Sequence, residues 1–161
     1  MLSKPKTKSA ALVGALLATV TAAPANAAPP PLVDLRGASV GSYALDVEGN
    51  ARVSGAVTGK PFDGAYTATL TSSDGSLPAP GTCESATTAV DVTGLKNRTL
   101  SLAATGEVCG TWTDSTYVVT YSFVGRYVVT GASARRLRGT DGWISVILAS
   151  DGRASFEAID T

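Results

Sequence analysis

Thr116-Tyr117-Val118-Val119-Thr120-Tyr121-Ser122-Phe123 sets Tyr117, Val119, Tyr121 and Phe123 on one parity and Thr116, Val118, Thr120 and Ser122 on the other. A period of two is that of a pleated strand, with an apolar face toward a core and a hydroxyl face toward water. Thr, Val and Tyr also suit a pleated surface. The same alternation recurs on both sides of this stretch. Tyr66, Ala68 and Leu70 alternate with Thr67, Thr69 and Thr71. Val90 and Val92 alternate with Ala89, Asp91 and Thr93, and Ala154, Phe156 and Ala158 with Ser155 and Glu157.

Turn residues punctuate these runs. Asp63-Gly64, Asp74-Gly75, Asp141-Gly142 and Asp151-Gly152 offer the positive backbone angle of tight turns, and the first of them could instead be a bulge. Ser76 to Gly81, with two prolines, reads as a loop. Strands are predicted near 40–47, 51–58, 65–72, 86–93, 98–105, 107–113, 115–123, 124–131, 142–149 and 153–159. Some of these merge, leaving about eight or nine. No stretch carries a sustained helical period, and Ala132 to Leu137 offers one turn at most. Consecutive hairpins of this spacing point to an all-β fold, a single antiparallel up-and-down β-barrel of about eight strands. A two-sheet β-sandwich is the alternative.

The ends of the chain set its compartment. Lys4, Lys6 and Lys8 precede an apolar run from Ala10 to Ala23, and Ala25-Asn26-Ala27 follows Pro24. A charged region, a short apolar region and a small-x-small site make a secretory signal peptide, cleaved after Ala27. The run is too short to cross a bilayer, so the mature form is expected to lack a membrane span. Residues 28–38, with Pro29-Pro30-Pro31, read as a flexible arm, and 39–161 as the barrel domain. Cleavage removes three of 13 basic residues and none of the 13 acidic ones, which leaves a mildly acidic domain without general attraction for nucleic acid. Arginine outnumbers lysine in the remainder, and Ala, Gly, Thr and Val abound, as in bacteria with GC-rich genomes. Cys83 and Cys109 are the two cysteines. In an oxidising compartment they form a disulfide. Two thiols without histidine make a poor metal site, so no metal is expected.

The segment Phe123-Val124-Gly125-Arg126-Tyr127-Val128-Val129-Thr130-Gly131, an irregular Ala132–Gly139 link, and Gly142-Trp143-Ile144-Ser145-Val146-Ile147-Leu148 resemble small secreted bacterial proteins with barrels like those of allene oxide cyclases and dirigent proteins. The resemblance spans the C-terminal third. It implies a barrel, and a cofactor-free isomerase or cyclase as one possible activity. Where that pattern has a glycine-rich link, this chain has Ser133-Ala134-Arg135-Arg136-Leu137-Arg138, and no catalytic residue transfers from it.

The chain has no histidine. That excludes Ser-His-Asp and Cys-His nucleophile activation and histidine-based metal sites. No phosphate-cradling glycine motif is present, and no cofactor is expected. Proton transfer would fall to carboxylates, tyrosines or lysine. Four groups remain as site candidates. Tyr66, Trp112, Tyr117, Tyr121, Phe123 and Tyr127 could line a ligand cavity or simply fill a core. Arg126, Arg135, Arg136 and Arg138 could clamp an anion or form a solvated loop. Glu84, Glu107 and Asp114, gathered by the disulfide, could act as an acid and base pair or stand as surface charge. Trp112 and Trp143 could stack on sugar rings if exposed. The expected function is a secreted, non-catalytic barrel that binds a small apolar or amphipathic ligand. The alternatives are a cyclase-like enzyme and an envelope-associated interaction module, and the sequence leaves the oligomeric state open.

Overall fold

Apolar and polar positions alternate along eight long strands, and the sheet they form closes on itself. The computed structural model describes residues 31–40, 44–45, 50–113 and 118–161. Its strands are β1 (Asp34–Val40), β2 (Ala44–Leu45), β3 (Ala51–Lys60), β4 (Gly64–Ser72), β5 (Cys83–Gly94), β6 (Thr99–Thr113), β7 (Val118–Ala132), β8 (Asp141–Ala149) and β9 (Arg153–Asp160). From β3 to β9 each strand pairs antiparallel with the next. The first strand, β1, pairs with both β9 and β3, which closes the ring. The short β2 only extends the start of β3. The architecture is therefore an antiparallel eight-strand barrel and not a sandwich. Cys83 opens β5 directly opposite Cys109 in β6, and the two form a disulfide on the barrel wall.

The start of the barrel lies earlier than its composition suggests. Asp34–Val40 is a full strand that begins inside the 28–38 segment assigned to an arm. The prolines dominate that reading, but Val33 and Leu35 are fully buried while Arg36 is exposed, which is strand alternation. The strand expected at 40–47 is represented by Val40 and by β2; residues 41–43 and 46–49 fall outside the described residues. So does the signal peptide.

Two pairs of expected strands merge. The stretches 98–105 and 107–113 become β6, and 115–123 and 124–131 become β7, described from Val118. The expected breaks fall at Gly106 and between Phe123 and Val124; Gly106 and Gly125 instead face each other across the continuous β6–β7 ladder. A β-carbon on Gly106 would run into the backbone of Val124 and Gly125, so the glycines let long strands approach closely and bend without ending. Of the Asp-Gly pairs, Gly75 and Gly152 take positive φ, at 72° and 93°. Gly64 and Gly142 instead begin strands β4 and β8. The positive angles near them fall at Gly59, whose N–H donates to Asp63 at 2.8 Å, and at Gly139, whose N–H donates to Val129 O at 3.0 Å. Arg135–Leu137 forms the single helical turn expected there.

The inward positions form one hydrophobic cluster spanning every long strand. Phe62 and Leu137, from the β3–β4 and β7–β8 connections, are buried at one end of the barrel. At the other end the 73–82 loop folds over β6. Gly81 N–H donates to Gly110 O at 2.7 Å, Gly110 N–H donates to Thr82 O at 3.0 Å, and Leu77 packs on the core. Outward positions are dominated by Thr, Ser and charged side chains, the reverse of a barrel that faces lipid. Among the described residues no helix is long and apolar enough to cross a membrane.

Candidate binding surface on the barrel wall

The aromatic candidates divide between the core and one exposed strand end. Tyr66 and Tyr127 are each 2% exposed and Phe123 is fully buried, all within the hydrophobic cluster. Tyr66 lies over Gly37 and Gly55, whose missing side chains make room for its ring, and stacks tilted on Phe156 at 4.6 Å between centroids. Tyr121 is half-buried against the same cluster, and Tyr117 lies outside the described residues. Trp112 is 62% exposed, on the part of β6 that continues past Cys109, where β5 begins and no longer flanks it. These side chains therefore do not surround one ligand.

The Tyr66 and Tyr127 hydroxyls are buried without a hydrogen-bond partner among the described residues. Burial raises both phenol pKa values, and the charges of Asp160 and Asp141 push Tyr127 up further. Asp160 receives the Leu32 N–H on Oδ2 at 2.8 Å, while its Oδ1 is buried and unpartnered.

The other charged candidates also separate. Arg126 points outward from β7, pairs with Asp141 at 2.8 Å and lies over the Trp143 ring at 5.3 Å. Arg138 turns back to donate to Ala132 O at 3.2 Å, which fastens the β7–β8 connection. Arg135 and Arg136 are exposed on the helical turn. Arg126 and Arg138 thus serve different local partners and do not converge on one anion. Glu84 takes inward parity on β5 and accepts the Ser72 hydroxyl at 2.5 Å, whereas Glu107 takes outward parity on β6. They lie on opposite faces of the sheet, so these two carboxylates do not pair; Asp114 is outside the described residues. Glu107 lies within 4.8 Å of both cysteine sulfurs, but the sulfurs are bonded to each other and are not thiolate ligands.

A different surface emerges on the outside of β4–β7. A groove of 560 Å³ is lined by Thr69, Thr71, Thr87, Ala89, Ala103, Thr105, Arg126 and Val128, among others. A second, of 660 Å³, is lined by Ser73, Ser85 and Gly106 and shares Thr71, Thr87 and Thr105 with the first. Together they form one trough along β5 and β6. Its floor is low because the outward residues there are small. Ala89 faces Ala103, and Thr71, Thr87, Thr105 and Arg126 stand in one cross-strand row. The taller wall is β7, with Arg126 and Val128. Trp143, 48% exposed, is directly opposite Arg126 on β8. Val124, Ile147 and Ile159 are exposed on the same side of the barrel and extend the apolar surface.

Sequence reasoning flagged Arg126 and Trp143 but missed the rest of this surface. The signal lay in strands that are apolar on both parities. Val124 and Val128 oppose Phe123, Tyr127 and Val129, and Ile147 lies between Val146 and Leu148. A strand with one wet face has little reason to carry such residues there.

No protein-family model matches this chain, and neither the curated proteins nor the solved structures yield a match. The resemblance of the C-terminal third therefore rests on its residues alone.

Proposed function

We propose that this chain is an exported, non-catalytic binding module that holds an amphipathic ligand against the outside of its barrel. The reading rests on one observation: a hydroxyl-lined trough walled by Arg126 and Val128, with the exposed Trp143 ring on the far side of that wall, beneath the Arg126 guanidinium. The interior reading, a ligand enclosed by Tyr66, Phe123 and Tyr127, has less support because these side chains are packed into the hydrophobic cluster. The cyclase-like alternative needs a carboxylate beside a phenol in an open cavity. Tyr127 and Asp160 supply the groups, yet Asp160 borders neither groove.

An environment-sensitive dye tests the proposal. Saturable binding to the secreted protein is expected, weakened about tenfold or more by Trp143→Ala, since removal of an aromatic anchor costs on the order of 2 kcal/mol. Tyr66→Phe should leave binding intact. Loss of binding in Tyr66→Phe with Trp143→Ala unaffected would place the ligand inside the barrel and reject the proposal.

A further inference from the structure

We propose that the trough takes a neutral polysaccharide, laid along β5 and β6 as an internal stretch of glycan chain. This deepens the reading above and depends on it. The first argument is hydrogen-bonding capacity. Thr69, Thr71, Thr87 and Thr105 each bring a hydroxyl that can donate and accept, and none of the four hydroxyls bonds to a described residue. On the same face Ser101 is engaged, donating to Asp91 at 2.6 Å. Thr71, Thr87 and Thr105 stand in register across adjacent strands.

The second argument is charge. Among the residues lining the two grooves, Arg126 alone is charged, and Asp141 neutralises it at 2.8 Å. A site without net charge complements a neutral occupant. A phosphate, an acidic peptide or a nucleic acid would have to break that ion pair to gain an attraction. The third argument is amphipathicity. Sugar rings combine apolar C–H faces with hydroxyl edges. The apolar faces match Val128, beyond which the half-exposed Trp143 on β8 continues the apolar surface, and the edges match the threonines. A lipid chain would leave the four hydroxyls unpaired. The fourth is shape. The two grooves run on from each other through Thr71, Thr87 and Thr105, so the surface suits a chain that passes along it.

The test uses the secreted, disulfide-intact chain in affinity electrophoresis through soluble neutral polysaccharides (amylose, xylan, mixed-linkage β-glucan, galactomannan), with polygalacturonate and heparin as charged controls. Retention by at least one neutral polymer and by neither polyanion is expected. The double substitution Thr87→Val with Thr105→Val removes two hydroxyls while keeping β-branched side chains suited to the strand. It should weaken retention tenfold or more, as should Trp143→Ala, with thermal midpoints close to that of the parent. Four results would overturn the inference: retention by polyanions only, retention by none of the polymers, full retention of the Val double variant, or a dimer in sedimentation that Trp143→Ala dissociates, which would mean a second copy covers the face. Dye binding that depends on Trp143 without glycan retention would defeat the glycan inference and leave the binding module standing; loss of both would defeat both.

Discussion

Tyr66 and Tyr127 place two phenols inside the hydrophobic cluster with no partner for either hydroxyl among the described residues. A buried, unpaired donor costs about 1–3 kcal/mol. Tyr66→Phe and Tyr127→Phe should therefore each leave stability unchanged or raise it by about 1 kcal/mol, measured by urea unfolding. A loss of about 2 kcal/mol or more would show that the hydroxyls are engaged. Their protonation sets the alkaline limit of the fold. The folded state holds both phenol protons above the ordinary pKa of tyrosine, whereas the unfolded chain releases them near pH 10. Stability is thus intact below about pH 10 and falls above it, at about 1.4 kcal/mol per pH unit for each tyrosine. Phenolate absorbance from these two residues should appear together with loss of the near-ultraviolet dichroism, and a simple titration of the folded protein would contradict this. At this scale the sequence identified both residues but not their role. Alternation shows that a tyrosine faces inward; whether it meets a cavity or a neighbour's ring depends on glycines such as Gly37 and Gly55, on strands distant from Tyr66 in sequence.

At the scale of elements, closure depends on the strand that composition disguised. β1 holds β9 on one side and β3 on the other. Deleting residues 28–40 should leave both partners with unpaired edges and yield aggregates or strand-exchanged oligomers in place of a monomer. Recovery of a folded monomer with the parent thermal midpoint would show that β1 is dispensable. The disulfide joins strands that are already paired, so it acts chiefly on the unfolded chain. With the cysteines 26 positions apart, replacing both with serine should lower stability by about 3–4 kcal/mol in the chain-entropy model while the barrel still forms. Most strands were legible because one face is wet and the other dry. The differences came where a strand needed a glycine for close approach, as at Gly106, or began beside prolines, as at Asp34.

For the whole molecule, the same alternation produces both a filled interior and a working exterior. Inward side chains from all eight long strands compete for one core, which leaves outward threonines and the Trp143 side of β8 to make contacts with anything else. Export is part of this proposal: the secreted form should have a mass beginning at Ala28 and lacking two hydrogens for the disulfide. The barrel could be read from period and turns, since these are local. The trough could not, because Thr71, Thr87, Thr105 and Arg126 come from four strands and meet only through register. The most direct test is a backbone-amide NMR titration of the labelled protein with the polymer, or failing that the dye, that it retains. Shifts should map to Thr71, Thr87, Thr105, Arg126 and Trp143 and spare the amides around Phe123 and Phe156. Shifts concentrated on inward positions of β4, β7 and β9, with the outer row unmoved, would contradict it.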